Sequence, residues 1–196
     1  MKMMNKLILT SLFAGVLSLP VNAALEAGAQ APLFTLEASL AGKAFQFSLQ
    51  EKLTSGPVVV YFYPSAYTNG CNIQAHTFSV NADKFAAAGA TVIGVSLDSI
   101  ERLNEFSADP EYCAGKFAVG SDVGGKVAKA FELNVRDAVE GKVDSRGKAI
   151  KHGFAERTTF VITQDGKIAA TIGGVTPAEN VKAALEKVQQ LAKTSH

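Results

Sequence analysis

Residues 57–71 read PVVVYFYPSAYTNGC, and the reading of this stretch decides the fold. Val58 to Tyr63 is an unbroken apolar, β-branched and aromatic run, bounded by Ser55-Gly56 before it and Pro64 after it. With no polar alternation, it predicts a central strand buried on both faces. A helix follows. Cys71, Ala75, Phe78, Ala82 and Phe85 fall at i, i+4, i+7, i+11 and i+14, one apolar stripe that stops near Gly89. Thr91–Leu97 (TVIGVSL) predicts a second buried strand. Asp98 or Ser99 then caps a helix carrying Ile100, Leu103 and Phe106, ended by Asp109-Pro110. Strand, helix, strand, helix in this order argues for an α/β sheet.

The flanks extend the same pattern. Upstream, Leu33–Leu36 and Phe45–Leu49 enclose Leu40-Ala41-Gly42, a hairpin. Downstream, Phe117–Val119 is a short strand, and Gly124-Gly125 opens a helix through Val127, Ala130 and Phe131; a lone Gly pair there is only a weak sign of an anion site. Residues 137–155 are polar and Gly-punctuated, a long loop. Its Lys142–Lys151 stretch, balanced by Asp144 and Glu140, reads as a solvated face. Thr158–Thr163 and Lys167–Ile172, joined by Asp165-Gly166, form a second hairpin, so the sheet is mixed. Thr176-Pro177-Ala178-Glu179 is a capping box, and the last helix buries Val181, Leu185, Val188 and Leu191.

The chain has 196 residues, 47% hydrophobic and 19% charged, a composition that excludes disorder. Nineteen Lys+Arg against 18 Asp+Glu recommend neither nucleic acid nor an anionic membrane as a partner. Residues 1–23 carry Lys2 and Lys6, an apolar run from Leu7 to Leu19, Pro20, and then Val21-Asn22-Ala23. This is the pattern of a secretory signal peptide; the alternative, an N-terminal anchor, is poorly served by so short a run. The expectation is therefore a periplasmic protein with no stable membrane association and one domain over 24–196. Cys71 and Cys113 must be read against an oxidising compartment.

Cys71 lies just past the carboxyl end of a buried strand, at the opening of a helix, the edge where α/β sheets place their sites. The unpaired N–H groups and the dipole of a first helical turn favour a thiolate there. Thr68, as the cap, would set its hydroxyl within a turn of the sulfur, to bond the thiolate or orient a bound oxygen. Pro64 can shield the sulfur from water, and Gly70 allows close approach. The competing reading is an inert buried thiol on the stripe with Ala75 and Phe78. Arg157, ahead of the strand Thr158–Thr163, would steady an anion if it reached the sulfur; otherwise it is a solvated edge residue. His76 lies five residues from Cys71, about 140° round a helix, so the two cannot share a metal. No metal site is expected.

Three segments together carry a resemblance: Val58–Cys71 (VVVYFYPSAYTNGC), Val92–Ser99 (VIGVSLDS) and Arg157–Lys167 (RTTFVITQDGK). They resemble the peroxiredoxins, the alkyl hydroperoxide reductase / thiol-specific antioxidant group, over roughly residues 25–190, and among subgroups the bacterioferritin-comigratory (Q) type. The resemblance implies a thioredoxin-like α/β fold, a central mixed sheet flanked by helices. It implies a peroxide site made of Pro64, Thr68, Cys71 and Arg157, with no cofactor. Two departures stand out: His76 occupies the place where the Q type often has a second Cys, and the 137–155 loop is long.

The implied reaction is attack of the Cys71 thiolate on a hydroperoxide, giving a sulfenic acid that condenses with a second thiol. Cys113 is the internal candidate. It is a resolving cysteine, a member of a static disulfide, or an unpaired thiol. An external dithiol protein, thioredoxin-like or a periplasmic disulfide reductase, would close the cycle, in a monomer or homodimer. Two rival functions remain: a thiol–disulfide oxidoreductase, against which the lack of a Cys-x-x-Cys pair speaks, and a non-catalytic binding module on the same fold.

Overall fold

A computed structural model describes residues 24–194; the leader expected over 1–23 lies outside them. The stretch that opened the sequence reading forms β3 (Val58–Phe62), every residue of it buried. Strand geometry sends alternate side chains to opposite faces. Val58, Val60 and Phe62 thus enter one core, while Val59, Tyr61 and Tyr63 enter the other. β3 pairs in parallel with β4 (Thr91–Ser96), and β4 in parallel with β5 (Ala118–Ser121).

On its other side β3 pairs antiparallel with β8 (Thr158–Ile162), which forms a hairpin with β9 (Ile168–Gly173). β1 (Thr35–Leu40) and β2 (Lys43–Ser48) form the first hairpin, and β1 joins β5 antiparallel. The order across the seven strands is β2-β1-β5-β4-β3-β8-β9, a mixed sheet. Ala41 and Gly42, both at positive φ, make the tight turn between β1 and β2.

Helices cover both faces. α2 (Asn69–Val80), α3 (Ala82–Ala87), α4 (Ile100–Ala108) and α6 (Pro177–Thr194) place Cys71, Phe78, Phe85, Phe106 and Val188 in the core that holds Tyr61. α5 (Lys126–Ala130) packs Val127 and Ala128 into the opposite core. α6 starts on the expected capping box: the Glu179 N–H donates to Thr176 Oγ1 at 3.3 Å, and the Thr176 N–H donates to Glu179 Oε2 at 3.0 Å.

Three expectations need correction. The helix expected through Phe85 is two helices, because Asn81 turns its amide onto the Thr77 carbonyl (2.9 Å) and leaves helical geometry at φ −105°, ψ 4°. The strand expected to reach Leu49 stops at Ser48, whose hydroxyl accepts the Glu51 N–H and caps a short helix, α1 (Leu49–Leu53). At the helix start after Gly124-Gly125, where the sign of an anion site is weak, the Asp122 carboxylate takes the Val127 and Ala128 N–H groups at 3.0 and 2.8 Å. The 137–155 segment is not a free solvated loop. Val143 bridges Ala149, Asp144 and Ile150 are buried, and its ends form a two-stranded ribbon, β6 (Val135–Arg136) with β7 (Phe154–Ala155).

Candidate active site

β3 ends at Phe62, and the next turn delivers Cys71 into the first turn of α2. Thr68 is the N-cap, with the extended backbone that position requires, and its carbonyl accepts the first helical bond from Asn72 at 2.8 Å. Its hydroxyl departs from expectation. It makes no capping bond and donates instead to the Ser65 carbonyl at 2.8 Å, tying the turn to itself. Tyr67, immediately before the cap, takes φ +59°, a left-handed backbone for a bulky residue.

β8 is antiparallel to β3, so the residue before β8 lies beside the end of β3. This brings Arg157 to the thiol: its Nη2 donates to Cys71 Sγ at 3.3 Å. Gly70 makes room, since a Cβ there would come within 3.1 Å of the same nitrogen. The guanidinium thus offers an N–H and a full positive charge to negative charge on the sulfur or on an oxygen held next to it. Cys71 itself is buried among Tyr61, Tyr63 and Phe78. Pro64 and Thr68 face a pocket of about 310 Å³ whose other walls are Arg136, Asp137, Val139, Lys142 and Phe154.

Arg157 is itself held by a chain of buried amides. Its Nη1 donates to Gln74 Oε1, and Gln74 Nε2 donates to Asn180 Oδ1 at 3.0 Å. Asn180 Oδ1 also accepts from Thr159 Oγ1 at 2.5 Å, and its Nδ2 donates to the Ile172 carbonyl at 2.8 Å. The fork of Arg157 is therefore fixed in orientation before any substrate arrives. Gln74 and Asn180 escaped the sequence reading. Their signal was a polar residue on a helix face otherwise filled by Cys71, Ala75 and Phe78, or by Val181, Ala184 and Val188.

Cys113 sits in the turn between α4 and β5, also buried, and the two thiols are unbonded. Burial, aided by Asp109, pushes the Cys113 thiol well above its ordinary value of 9.0. His76 does not meet Cys71; its Nδ1 lies 3.0 Å from the Glu111 carbonyl, linking α2 to the turn that carries Cys113. Among the described residues no group of three His, Cys, Asp or Glu side chains is placed to hold a metal ion.

This strand–turn–helix with a guanidinium-bonded cysteine on a mixed sheet matches a known family. Residues 27–171 match the AhpC/TSA family, and the chain belongs to it. A putative chloroplastic peroxiredoxin Q of Oryza sativa is 42% identical over 104 residues, 53% of this chain and 45% of that one. Peroxiredoxin Bcp of Escherichia coli is 37% identical over 111 residues, 57% of this chain and 64% of the other, so the chain spans less than two thirds of these relatives. Among solved structures, a peroxidoxin BcpB from Mycobacterium tuberculosis superposes with a TM-score of 0.70 at 28% identity, covering 85% of this chain and 98% of that one. The thioredoxin-like fold expected from the sequence is the fold observed.

Proposed function

We propose that the protein is an exported thiol peroxidase acting on hydrogen peroxide or organic hydroperoxides. The observation that carries the reading is the 3.3 Å contact of Arg157 Nη2 with Cys71 Sγ. The Cys71 thiolate attacks one peroxide oxygen; an S–O bond forms and the O–O bond breaks. Electrons flow from sulfur to the departing oxygen, which gathers negative charge beside Arg157 and leaves as water or an alcohol once protonated. Cys71 becomes a sulfenic acid. Cys113, our candidate resolving thiol, displaces the hydroxyl, giving a disulfide and water. A thioredoxin-like or periplasmic dithiol protein then reduces that bond. The two thiols are unbonded in the folded structure, so the Cys113 turn or the Cys71 turn moves before the sulfurs meet.

Export rests on the leader at residues 1–23; among the described residues no helix is long and apolar enough to cross a membrane. Mass spectrometry after one equivalent of hydrogen peroxide tests the chemistry. A gain of one oxygen at Cys71, or a Cys71–Cys113 link, supports it; unchanged thiols refute it.

A further inference from the structure

A second set of contacts, separate from Arg157, grips the turn that precedes Cys71. Ala66 is held by both of its backbone groups: its N–H donates to Asp98 Oδ2 at 2.7 Å, and its carbonyl accepts from Arg102 Nη2 at 2.8 Å. Ser65 Oγ donates to Asp98 Oδ1 at 2.9 Å. The Tyr67 carbonyl accepts the Ser145 N–H at 2.8 Å, and the Arg146 guanidinium lies 3.2 Å from the centre of the Tyr67 ring. Three consecutive residues directly before the Thr68 cap are thus tied from outside their own turn.

The ties converge on Asp98, a fully buried carboxylate. Besides Ser65 and Ala66, it receives Ser96 Oγ at 2.7 Å, and Arg102 Nε and His152 Nε2 stand 2.9 and 2.8 Å from its Oδ1. Arg102, largely buried, spans from Asp98 to a second buried carboxylate, Asp144, at 2.7 Å. His152 and Asp144 both belong to the 137–155 segment, which therefore lies across the Cys71 turn as a strap.

We propose that Asp98 is a positioning residue for Cys71, and that the strap, through His152 and Asp144, locks the Ser65–Tyr67 turn in the peroxide-reactive arrangement and must let go before Cys71 can join Cys113. The inference rests on the peroxidase reading proposed above. A local grip of this kind favours attack, which needs the sulfur fixed against Arg157, and opposes disulfide closure, which needs it displaced.

The lock depends on a proton. His152 Nε2 faces Asp98 Oδ1 at 2.8 Å, and its Nδ1 faces the Gly153 carbonyl at 2.7 Å. Both partners are acceptors, so only the doubly protonated ring satisfies both. Asp98 from the β4–α4 turn and Arg102 from α4 are the charges that face it; the Ser65 hydroxyl at 3.4 Å and the Phe154 ring complete its surroundings. Burial alone would lower the His152 pKa, but the bond to Asp98 and its charge, with the Gly153 carbonyl, outweigh burial and raise it above 6.5.

The test compares wild type with His152→Gln across pH 5.5 to 9, the full chain being used. Two rates are read: sulfenic acid formation at Cys71 with hydrogen peroxide in a Cys113→Ser background, and Cys71–Cys113 bond formation driven by diamide, which takes up the two electrons and two protons. At the low end of the range the variant should form sulfenic acid on the order of tenfold more slowly and close the disulfide faster. The two proteins should converge as His152 of the wild type loses its proton. Identical rates throughout, or both rates moving in the same direction, would overturn the proposal. Should His152→Gln fail to fold, Asp144→Asn carries the same comparison at the other end of the strap. If wild type ignores peroxide while the diamide contrast persists, the peroxidase reading falls and the lock stands.

Discussion

The two cysteines share one core, yet they meet different chemistry. Cys71 has a guanidinium at 3.3 Å and a helix start behind it. Cys113 lies in a short turn held by backbone bonds such as Ala114 N–H to Asp109 O (2.8 Å), where burial first and the Asp109 carboxylate second disfavour a thiolate. Burial is common to both, so what separates the two thiols is the charge that faces each. The phenols of Tyr61 and Tyr63, raised well above their usual range chiefly by burial, feel both sulfurs and belong to the same buried cluster.

The contrast breaks most severely at the sulfur itself. Cys71→Ser should abolish peroxide consumption, measured as loss of hydrogen peroxide over time; retained consumption would transfer the chemistry elsewhere. Next comes the partner. Arg157→Met should lower the second-order rate with peroxide by about 10²–10³, the range for removing one well-placed charge-stabilising donor, with unchanged far-ultraviolet circular dichroism. Cys113→Ser should leave that rate alone while a sulfenic acid persists at Cys71, trapped by dimedone and read by mass spectrometry.

The smallest effect is a shift in stability with pH. Folded His152 keeps its proton above 6.5, so the stability it contributes is complete below 6.5 and fades as pH rises through the raised value. The melting temperature of wild type should therefore exceed that of His152→Gln in mild acid, by about 2–4 °C for each kcal/mol, and the gap should close toward alkaline pH.

What could be read from the sequence was what neighbouring residues decide. The buried run Val58–Tyr63, the Asp165-Gly166 turn, the Thr176–Glu179 box and the placing of Cys71 at a strand–helix turn are all local patterns, and each is present. The departures are contests between local options, as where Asn81 takes a carbonyl from the helix it ends. The supports of the site were hidden because their partners are far apart in the chain: Gln74 and Asn180 by 106 residues, Arg102 and Asp144 by 42. Asp144 in particular looked like one more charge in a balanced polar stretch. Nothing in its own neighbourhood says that an arginine of α4 will come to bury it.

Tyr67 bears on how the turn lets go. A left-handed backbone at a non-glycine residue stores about 1–2 kcal/mol, kept in place here by Arg146, Phe106 and Tyr112 against its ring. That energy is returned when the segment melts. The turn is thus a spring held under a catch: little additional work is needed to move the sulfur once the catch is lifted, and the tension that hastens departure also resists re-seating.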